Sequence, residues 1–591
     1  FLQDSWGNYS FYGVDNFRNG IYFDYDLQFQ TAPGSVPAQY ANKGFGLFVQ
    51  DTWYVTSNLT MTFGVRGDKF ETDPQPTYNA TFAGPQTINP ATGAWTGGFG
   101  LDNSITYGGG FLIQPRMGFN YTFDSDRPTQ LRGGVGLFQG DAPQVWVGNS
   151  FNSTGLNYIA YSNYRNCGYT GPAPSGANPT CLTTPFNPNG LNPTVPPAAS
   201  ANRNVNVIAP DFNLPSIWKA NLAFDHELPW YGIVASTELL LADVKDGLFY
   251  RTLNVGPGFK GPDGRTLYWN PSSPRPFGNT STGTTPTNPA RFRNNSFFGD
   301  VYLIENTNKG KSQQLTVSLN KPWSTDGDWS WSLAYTYTNT TEVGSLTSST
   351  AGSGFGSQLA FNTNEEQSNT ARYELKDRIS GTLNWKHNFF GDYDTQVGLF
   401  YEGRSGRPYS YIFAGDANGD NRTFNDLFFV PRPGDVQFGT LSTTGVFTAN
   451  PALEQAFFNW LGTQEELGFY AGSYAPENAF RAGWVNSFDL RISQDLPGFF
   501  SGHKSKIYMD IQNVGNLLND DWGHIIDYGF NASHAVATLI GINPATGKYV
   551  YGPRSGSEFG QVAAKGIPTN SDSQTNGISQ WSMQVGFKYE F

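Results

Sequence analysis

The last eleven residues of the chain, Trp581-Ser-Met-Gln-Val-Gly-Phe-Lys-Tyr-Glu-Phe591, alternate between apolar side chains and polar side chains or glycine. The apolar positions are Trp581, Met583, Val585, Phe587, Tyr589 and Phe591. Strict period-two alternation predicts a β-strand with one apolar and one polar face. Ending on such a strand is typical of an outer-membrane β-barrel, whose final strand closes the barrel and carries its assembly signal. An edge strand of a secreted β-sandwich is the alternative.

The composition agrees with a β-rich protein that faces an apolar medium. Of the 591 residues, 16% are aromatic and only 14% are charged, against about a quarter in typical domains. No window contains 18 consecutive apolar residues, so no transmembrane helix is predicted and a closed barrel is the remaining way to span a bilayer. The net charge of -12 argues against nucleic acid as a partner, because nucleic-acid binding requires a basic face.

Alternating segments recur along the chain and come in pairs. The fourteen predicted strands are 20–29, 43–54, 58–68, 112–123, 129–139, 216–227, 232–253, 301–321, 328–340, 370–387, 393–406, 482–495, 504–514 and 580–591. Short connections, at 55–57, 124–128, 228–231, 322–327, 388–392 and 496–503, alternate with long ones, at 69–111, 140–215, 254–300, 341–369, 407–481 and 515–579. This alternation predicts an all-β, transmembrane antiparallel β-barrel with periplasmic turns and long extracellular loops.

We therefore expect residues 1–591 to form one barrel domain in the outer membrane of a bacterial cell, with the C-terminus in the periplasm. The final strand would face outer-membrane lipid, with the barrel assembly machinery as a partner. Aromatic pairs near the strand ends are Trp53-Tyr54, Trp230-Tyr231, Trp329 with Trp331, Phe389-Phe390 and Phe499-Phe500. They predict a belt of rings at the periplasmic headgroups, and a packed aromatic core is the alternative.

The two cysteines of the chain, Cys167 and Cys181, lie in a loop rich in Pro, Gly and Asn. Such a pair in an irregular loop indicates an oxidising compartment and one disulfide bond. Two free thiols are the alternative. The predicted Cys167–Cys181 disulfide would lie in an extracellular loop.

One segment has the spacing of a calcium-binding loop. Asp416, Asn418, Asp420, Asn425 and Asp426 place side-chain oxygens at positions 1, 3, 5, 10 and 11. Alternate oxygen ligands on a tight loop converge on one hard cation, although this loop departs from the EF-hand pattern at positions 6 and 12. The pattern predicts a Ca²⁺ ion held by Asp416, Asn418, Asp420 and Asp426. The alternative is a polar loop held by Asx-turns without metal.

No arrangement of residues indicates an enzyme. The five histidines have no metal-binding spacing, and no nucleophile motif or defensible pair of catalytic carboxylates occurs in the sequence. Apart from the calcium prediction, no cofactor is expected.

Several stretches resemble a known family of outer-membrane proteins. The segment Phe48-Val-Gln-Asp-Thr-Trp-Tyr-Val-Thr-Ser-Asn-Leu59, followed by Phe63-Gly-Val-Arg66, is similar to the barrel signature of TonB-dependent outer-membrane receptors. Three further stretches resemble the Oar-like branch of that family. They are Gly403-Arg-Ser-Gly-Arg-Pro-Tyr-Ser410, Gly415-Asp-Ala-Asn-Gly-Asp420 with Asn425-Asp426, and Trp484 to Trp522, which includes Asn513-Val-Gly-Asn-Leu-Leu-Asn-Asp520. The resemblance covers most of the strands and not the extracellular loops.

The resemblance implies a 22-stranded barrel filled by an N-terminal plug and coupled to the TonB complex. About fourteen strands are predicted in this chain, and no plug or TonB box, so we expect it to be the C-terminal part of a longer protein. The implied function is transport of a bulky substrate across the outer membrane, with an unknown substrate and direction. Two alternatives are a passive channel closed by the fourteen strands alone, and a surface structural or adhesive protein that acts through its loops.

Overall fold

The computed structural model describes residues 4, 6–30, 39–90, 95–107, 110–140, 144–156, 158–172, 180–196, 200–269, 291–324, 327–345, 348–442, 444–526, 528, 531–553 and 579–591. All six predicted long loops and the predicted turn at 322–327 extend in part beyond these ranges. The helices are α1 (Val14–Arg18), α2 (Ala80–Ala83), α3 (Gln144–Asn152), α4 (Ala351–Gly356), α5 (Pro451–Leu461), α6 (Glu465–Gly468) and α7 (Val514–Leu518). Within the described ranges, none of them is long and apolar enough to cross a membrane.

Strands make up most of the regular secondary structure of the described residues. The first sixteen are β1 (Asn8–Ser10), β2 (Asp24–Gln30), β3 (Ala41–Tyr54), β4 (Leu59–Asp73), β5 (Gln86–Ile88), β6 (Trp95–Gly97), β7 (Leu112–Thr122), β8 (Thr129–Gln139), β9 (Tyr158–Tyr164), β10 (Ser200–Asn202), β11 (Val205–Ile208), β12 (Ser216–Glu227), β13 (Val234–Thr252), β14 (Phe259–Lys260), β15 (Thr266–Leu267) and β16 (Val301–Thr307). The others are β17 (Lys311–Lys321), β18 (Trp329–Glu342), β19 (Asn369–Thr370), β20 (Asp377–Phe390), β21 (Tyr393–Arg404), β22 (Pro408–Ala414), β23 (Phe429–Val430), β24 (Gln437–Leu441), β25 (Phe447–Ala449), β26 (Ser473–Tyr474), β27 (Phe480–Arg481), β28 (Val485–Pro497), β29 (Lys504–Gln512), β30 (Ser533–Ile542), β31 (Tyr549–Pro553) and β32 (Ser582–Glu590).

One large sheet dominates the fold. Thirteen of its sixteen strands form a single path in the order β3-β4-β7-β8-β12-β13-β17-β18-β20-β21-β28-β29-β32, and β11, β16 and β19 pair beside it. Every neighbouring pair along the path is antiparallel. The path follows chain order throughout, so the sheet is a continuous antiparallel meander.

The connections of the meander alternate between its two edges, because each strand runs opposite to the one before it. Short connections, at 55–58, 123–128, 228–233, 322–328, 391–392 and 498–503, lie on one edge, which we call the turn edge. Long connections, at 74–111, 140–215, 253–310, 343–376, 405–484 and 513–581, lie on the other, which we call the loop edge. The predicted alternation of short and long connections is confirmed.

The path has thirteen strands, and the predicted strand at 20–29 is not one of them. It forms as β2, but it lies between β1 and β9 in a separate four-stranded sheet. Tyr25 and Leu27 on β2 are fully buried in a cluster with Tyr22, Tyr161 and Tyr164. Its apolar face therefore meets an aromatic core in a folded loop, an environment that alternation alone does not distinguish from lipid.

The predicted strand at 301–321 is divided into two strands of different roles. Residues Val301–Thr307 form β16, which pairs in parallel with β11 and is buried over Val301 to Ile304. The chain turns at Gly310, where φ is 127°, and then enters the meander as β17. A φ in this region favours glycine, which explains why the strand breaks here.

Alternate side chains of the meander form apolar and polar rows that run across the strands. One row passes through the register partners Val397, Ile492, Met509 and Val585. The adjacent row passes through Arg491, Asp510 and Gln584, and the first two side chains form an ion pair of 3.5 Å. One apolar and one polar face is the pattern of a membrane barrel wall, with aliphatic side chains toward lipid.

The aromatic pairs beside the short turns are exposed at the turn edge. The exposed fractions are 56% and 76% for Trp53 and Tyr54, 59% and 82% for Trp230 and Tyr231, 58% and 67% for Phe389 and Phe390, and 81% and 70% for Phe499 and Phe500. In the fifth pair, Trp329 is 47% exposed and Trp331 is half-buried. None of these rings lies in a packed aromatic core, which was the alternative. Rings of this kind at one height are typical of a membrane–water interface.

The long connections fold into compact structure of their own, which their composition does not predict. The largest unit is a six-stranded sheet in the order β25-β24-β31-β30-β22-β27, built from the connections 405–484 and 513–581. It includes the parallel pairs β22–β30 and β24–β31. Its core contains the fully buried aromatics Phe413, Phe428 and Phe457.

Residues 453–467 have helical spacing in the sequence, and the structure forms two short helices there, α5 and α6. Asn450 caps α5 by accepting a hydrogen bond from the backbone N–H of Leu453, and Pro451 occupies the first turn, where its missing N–H costs nothing. The helix buries Phe457 and Trp460 against the six-stranded sheet. It is therefore a core element of the folded loops and not a surface attachment.

Candidate functional site

The loop between β22 and β23 brings all the predicted calcium ligands together in the interior of the folded loops. Exposed fractions are 8% for Asp416, 2% for Asn418, 2% for Asp420, 4% for Asn425 and 0% for Asp426. Carboxylates are seldom buried to this extent unless they are paired or bound to a metal. We call this segment, residues 416–426, the acidic turn.

The first part of the acidic turn is held by side-chain oxygens that accept backbone N–H groups. Asp416 accepts from Gly419 at 2.6 Å and from Asn421 at 3.0 Å. The Oδ1 atom of Asn418 accepts from the N–H of Asp420 at 2.9 Å. These are Asx-type turns, which fix the direction of the three oxygen-bearing side chains.

Asp420 accepts hydrogen bonds from three neighbouring side chains. Its Oδ2 atom accepts hydrogen bonds from Thr363 Oγ1 at 3.0 Å, Asn425 Nδ2 at 3.2 Å and Asn418 Nδ2 at 3.4 Å. Thr363 belongs to the connection 343–376, so this carboxylate joins two long connections. The four oxygen-containing side chains of Asp420, Thr363, Asn425 and Asn418 thus surround one small volume.

Asp426 belongs to a buried ion-pair network that the sequence did not indicate. Its Oδ1 atom accepts from Arg265 Nη1 at 3.1 Å, and its Oδ2 atom accepts from the N–H of Ala417 at 2.8 Å. Arg265 also pairs with Asp263 at 3.3 Å, and all three charged side chains are 0% exposed. Arg265 lies 161 residues before Asp426 in the sequence, and no local pattern links them.

The carboxyl groups of the acidic turn have pKa values shifted upward. Burial, reinforced by the charges of Asp420 and Asp426, raises the pKa of Asp416 well above its usual value. Burial also raises the pKa of Asp420. It raises the pKa of Asp426 to about 7, against the opposing charge of Arg265. Negative charge confined away from water in this way favours a positive ligand or a proton.

The acidic turn does not offer a metal site made of carboxylates alone. In the part of the chain that the structure describes, no three His, Cys, Asp or Glu side chains are arranged to hold one metal ion. A cation here would draw on amide, hydroxyl or backbone oxygens as well, which is the donor set that calcium accepts. The predicted calcium site remains a prediction.

The structure joins Cys167 and Cys181 by a disulfide in the connection 140–215. Backbone hydrogen bonds flank it, from Cys167 N to Leu182 O and from Leu182 N to Arg165 O, each 2.8 Å. Leu182 packs in the same aromatic cluster as β2. The disulfide therefore fastens the irregular segment after β9 to the small four-stranded sheet.

Replacing both cysteines with serine is expected to lower the free energy of unfolding of this loop by about 3 kcal/mol. The two cysteines are 14 positions apart, and a crosslink of that span removes about this much chain entropy from the unfolded state. Protease resistance of the 140–215 connection, compared before and after the double substitution, measures the change. Two alkylatable thiols in protein from the cell envelope, found by non-reducing mass spectrometry, would contradict the disulfide.

The final strand, β32, pairs along its whole length with β29, from Gln512 opposite Ser582 to Lys504 opposite Glu590. Five of the six predicted assembly residues are exposed: Trp581, Met583, Val585, Phe587 and Phe591. Tyr589 differs, because it is half-buried and its hydroxyl accepts from the N–H of Phe499 at 3.2 Å in the last short turn. Recognition of these residues by the assembly machinery remains a prediction.

No curated protein matches the chain. Among solved structures it is similar to the outer membrane transporter YddB from Escherichia coli, with 13% identity, a TM-score of 0.38, and coverage of 81% of this chain and 51% of that one. For the ferric enterobactin receptor PfeA from Pseudomonas aeruginosa the identity is 10% and the TM-score is 0.36, and the match covers 89% of this chain and 48% of that one. For the copper transporter OprC the identity is 8% and the TM-score is 0.35, and the match covers 83% of this chain and 46% of that one. The chain spans about half the length of these structures.

A match to a protein family covers most of the chain. The family described as the outer membrane beta barrel domain matches residues 5–520. This range includes every strand of the meander except β32, together with the acidic turn and the disulfide. The chain therefore belongs to the outer membrane beta-barrel family.

Proposed function

We propose that this chain is the C-terminal part of a TonB-dependent receptor of the Oar-like branch, which moves a bulky substrate across the outer membrane. The motifs around Phe48–Leu59, Gly403–Ser410 and Trp484–Trp522 support this assignment through their resemblance to that family. Membership in the outer membrane beta-barrel family supports the location. The structural observation that carries the proposal is the direction of the first and last strands of the meander.

The meander begins and ends on strands that run the same way. β3 leads into the short connection 55–58, and β32 follows the long connection 513–581, so both run from the loop edge to the turn edge. Two strands of the same direction cannot form an antiparallel pair, and bacterial outer-membrane barrels have an even number of antiparallel strands. A barrel that contains this meander takes an odd number of further strands. Nine would complete the 22 strands of a plugged outer-membrane transporter.

A separate observation counts against a passive channel of fourteen strands, which the strand directions alone would allow. Such a channel needs a fourteenth strand beside β3, and the predicted candidate, β2, pairs with β1 and β9 instead. In planar bilayers, we expect the full-length protein purified from envelopes to give no steady conductance, because a plug fills the barrel. It should also bind the purified periplasmic domain of TonB. A stable open channel without TonB binding would refute the proposal.

A surface structural or adhesive protein is the second candidate, favoured by the folded cores of the long connections. Loops with a six-stranded sheet of their own can present a rigid binding surface. The two functions differ in their dependence on energy. Transport requires TonB, whereas adhesion of cells that carry the protein would persist in a strain that lacks TonB.

The proposed orientation places the loop edge outside the cell and the turn edge in the periplasm. Chymotrypsin cleaves after aromatic residues, so added to intact cells it is expected to cut after Phe469, which is 80% exposed in the connection 405–484. It should spare Phe499, which is equally exposed but lies in the last short turn. Mass spectrometry of the released peptides measures both. Cleavage after Phe499 in sealed cells, with Phe469 intact, would reverse the orientation.

A further inference from the structure

The acidic turn contains an oxygen atom that has no hydrogen-bond partner. The Oδ1 atom of Asn425 is inaccessible to water and accepts no hydrogen bond from any described residue. The amide nitrogen of the same side chain lies 3.2 Å from Asp420 Oδ2, so the amide group points into the centre of the turn. A buried acceptor left unsatisfied costs about 1–3 kcal/mol, and buried polar groups are normally paired.

The same small volume has an excess of negative charge. Among the described residues, neither Asp416 nor Asp420 forms an ion pair, although both are almost fully buried. Arg265 neutralises only part of the network, because it is shared between Asp426 and Asp263. In the described part of the chain, Arg291 attracts Asp416 and Asp420 without forming an ion pair with either, so four carboxylates face two arginines. Charges that are buried without a partner are expected to be compensated by a bound cation or by protonation.

We propose that the acidic turn binds one Ca²⁺ ion through the side-chain oxygens of Asp416, Asn418, Asp420 and Asn425. Rotating the Asn425 amide by half a turn would bring its free oxygen to the position that its nitrogen now occupies beside Asp420. Asp426 differs from the other carboxylates because it forms an ion pair with Arg265, and it anchors the turn from outside the coordination shell. Backbone oxygens and water complete the six to eight oxygen ligands that calcium takes.

Calcium is favoured over other divalent metals by the donors that are present. All four side chains offer oxygen, whereas zinc and copper prefer nitrogen and sulfur ligands. Magnesium requires a nearly ideal octahedron and keeps most of its water, which a buried turn of mixed carboxylate and amide oxygens does not suit. Calcium sites in extracellular modules typically have dissociation constants on the order of 0.1–1 mM.

The bound ion would hold three long connections together. Thr363 from the connection 343–376 donates to Asp420. From the connection 253–310, the N–H of Tyr268 donates to Asn418 O at 2.6 Å and the indole of Trp269 donates to Ala417 O at 3.1 Å. Calcium therefore sets the rigidity of the folded loops at the loop edge. This inference goes beyond the proposed transport function and does not depend on it.

The test uses the full-length protein in detergent, freed of metal with a chelator. Tb³⁺ replaces Ca²⁺ in oxygen sites, and the indole of Trp269, which donates to Ala417 O within the acidic turn, serves as the sensitiser of its luminescence. We expect luminescence that added Ca²⁺ competes away and Mg²⁺ does not. The Asp420→Asn variant should bind Tb³⁺ roughly tenfold or more weakly, because one ligand charge is lost. The matched control is Asp435→Asn, since Asp435 is exposed in the same connection and, among the described residues, its side chain accepts a hydrogen bond only from the N–H of Arg432.

A second measurement avoids any variant that folds poorly. In the unaltered protein, chelator is expected to speed proteolysis within residues 407–481, and Ca²⁺ should restore the slow rate. Tb³⁺ luminescence that Ca²⁺ does not compete for, or proteolysis that chelator leaves unchanged, would overturn the calcium site. Equal Tb³⁺ affinity in the Asp420→Asn variant and the unaltered protein would overturn it as well.

Discussion

Replacing Arg265 with methionine is expected to lower the free energy of unfolding of the folded loops by about 3–5 kcal/mol. The substitution keeps most of the volume and removes the charge, so Asp263 and Asp426 are left without a counter-charge at 0% exposure. Arg265 also lies 4.8 Å from the ring centre of Phe361 and 5.1 Å from that of Phe413, and both cation–π contacts would be lost. The strands around the acidic turn should open far more often as a result.

Hydrogen exchange of the backbone amides of β22 and β30 measures this change. A loss of 3–5 kcal/mol corresponds to roughly a hundredfold to several-thousandfold faster exchange, since about 1.4 kcal/mol is a factor of ten. The control is Lys309→Met, because Lys309 pairs with Glu366 at 3.4 Å with 46% and 34% of the side chains exposed. An exposed pair contributes about 0–1 kcal/mol. Equal effects of the two substitutions would show that the buried pair does not stabilise the loops.

The loss of unfolding free energy caused by Arg265→Met is expected to become smaller as the pH falls. The pKa of Asp426 is about 7 in the folded protein, above the usual value of 3.8, so the folded state takes up a proton that the unfolded state does not in this interval. A protonated Asp426 no longer needs the arginine charge. The difference in exchange rate between the variant and the unaltered protein is therefore expected to be largest above pH 7 and smaller near pH 5.

The substitution Val585→Arg in the last strand is expected to destabilise the barrel by about 2–4 kcal/mol. Val585 is 65% exposed and continues the apolar row of Val397, Ile492 and Met509. An arginine in this row would place a charge in the lipid, where no described side chain is positioned to pair with it. Unfolding of the full-length protein by urea in lipid vesicles measures the loss.

The neighbouring position provides the matched comparison. Gln584 lies on the polar face, directly opposite Asp510 in register, so an arginine there meets a carboxylate instead of lipid. We expect Gln584→Arg to change the unfolding free energy by less than about 1 kcal/mol. If both substitutions cost the same, the assignment of apolar and polar faces to β32 is wrong.

The strands of the meander could be predicted from the sequence because their signal is local. In β17, Leu315 and Val317 alternate with Thr316 and Ser318, and each side chain reaches its face through its position on the strand alone. The order of short and long connections follows in the same way, since a meander pairs each strand with the next. The two cysteines of the disulfide could also be paired from the sequence, as there are no others.

Contacts that depend on which long connections pack together could be determined only from the tertiary structure. Period-two alternation is identical in β2 and in a membrane strand, and only the contacts of Tyr25 and Leu27 with a tyrosine cluster assign β2 to a folded loop. The partner of Asp426 is Arg265, whose position is set by the packing of two connections and not by any spacing. The sequence alone determines which face of a strand a side chain lies on, because the two-residue period of the backbone sets it. Contacts between loops that are distant in the sequence form only when the chain folds.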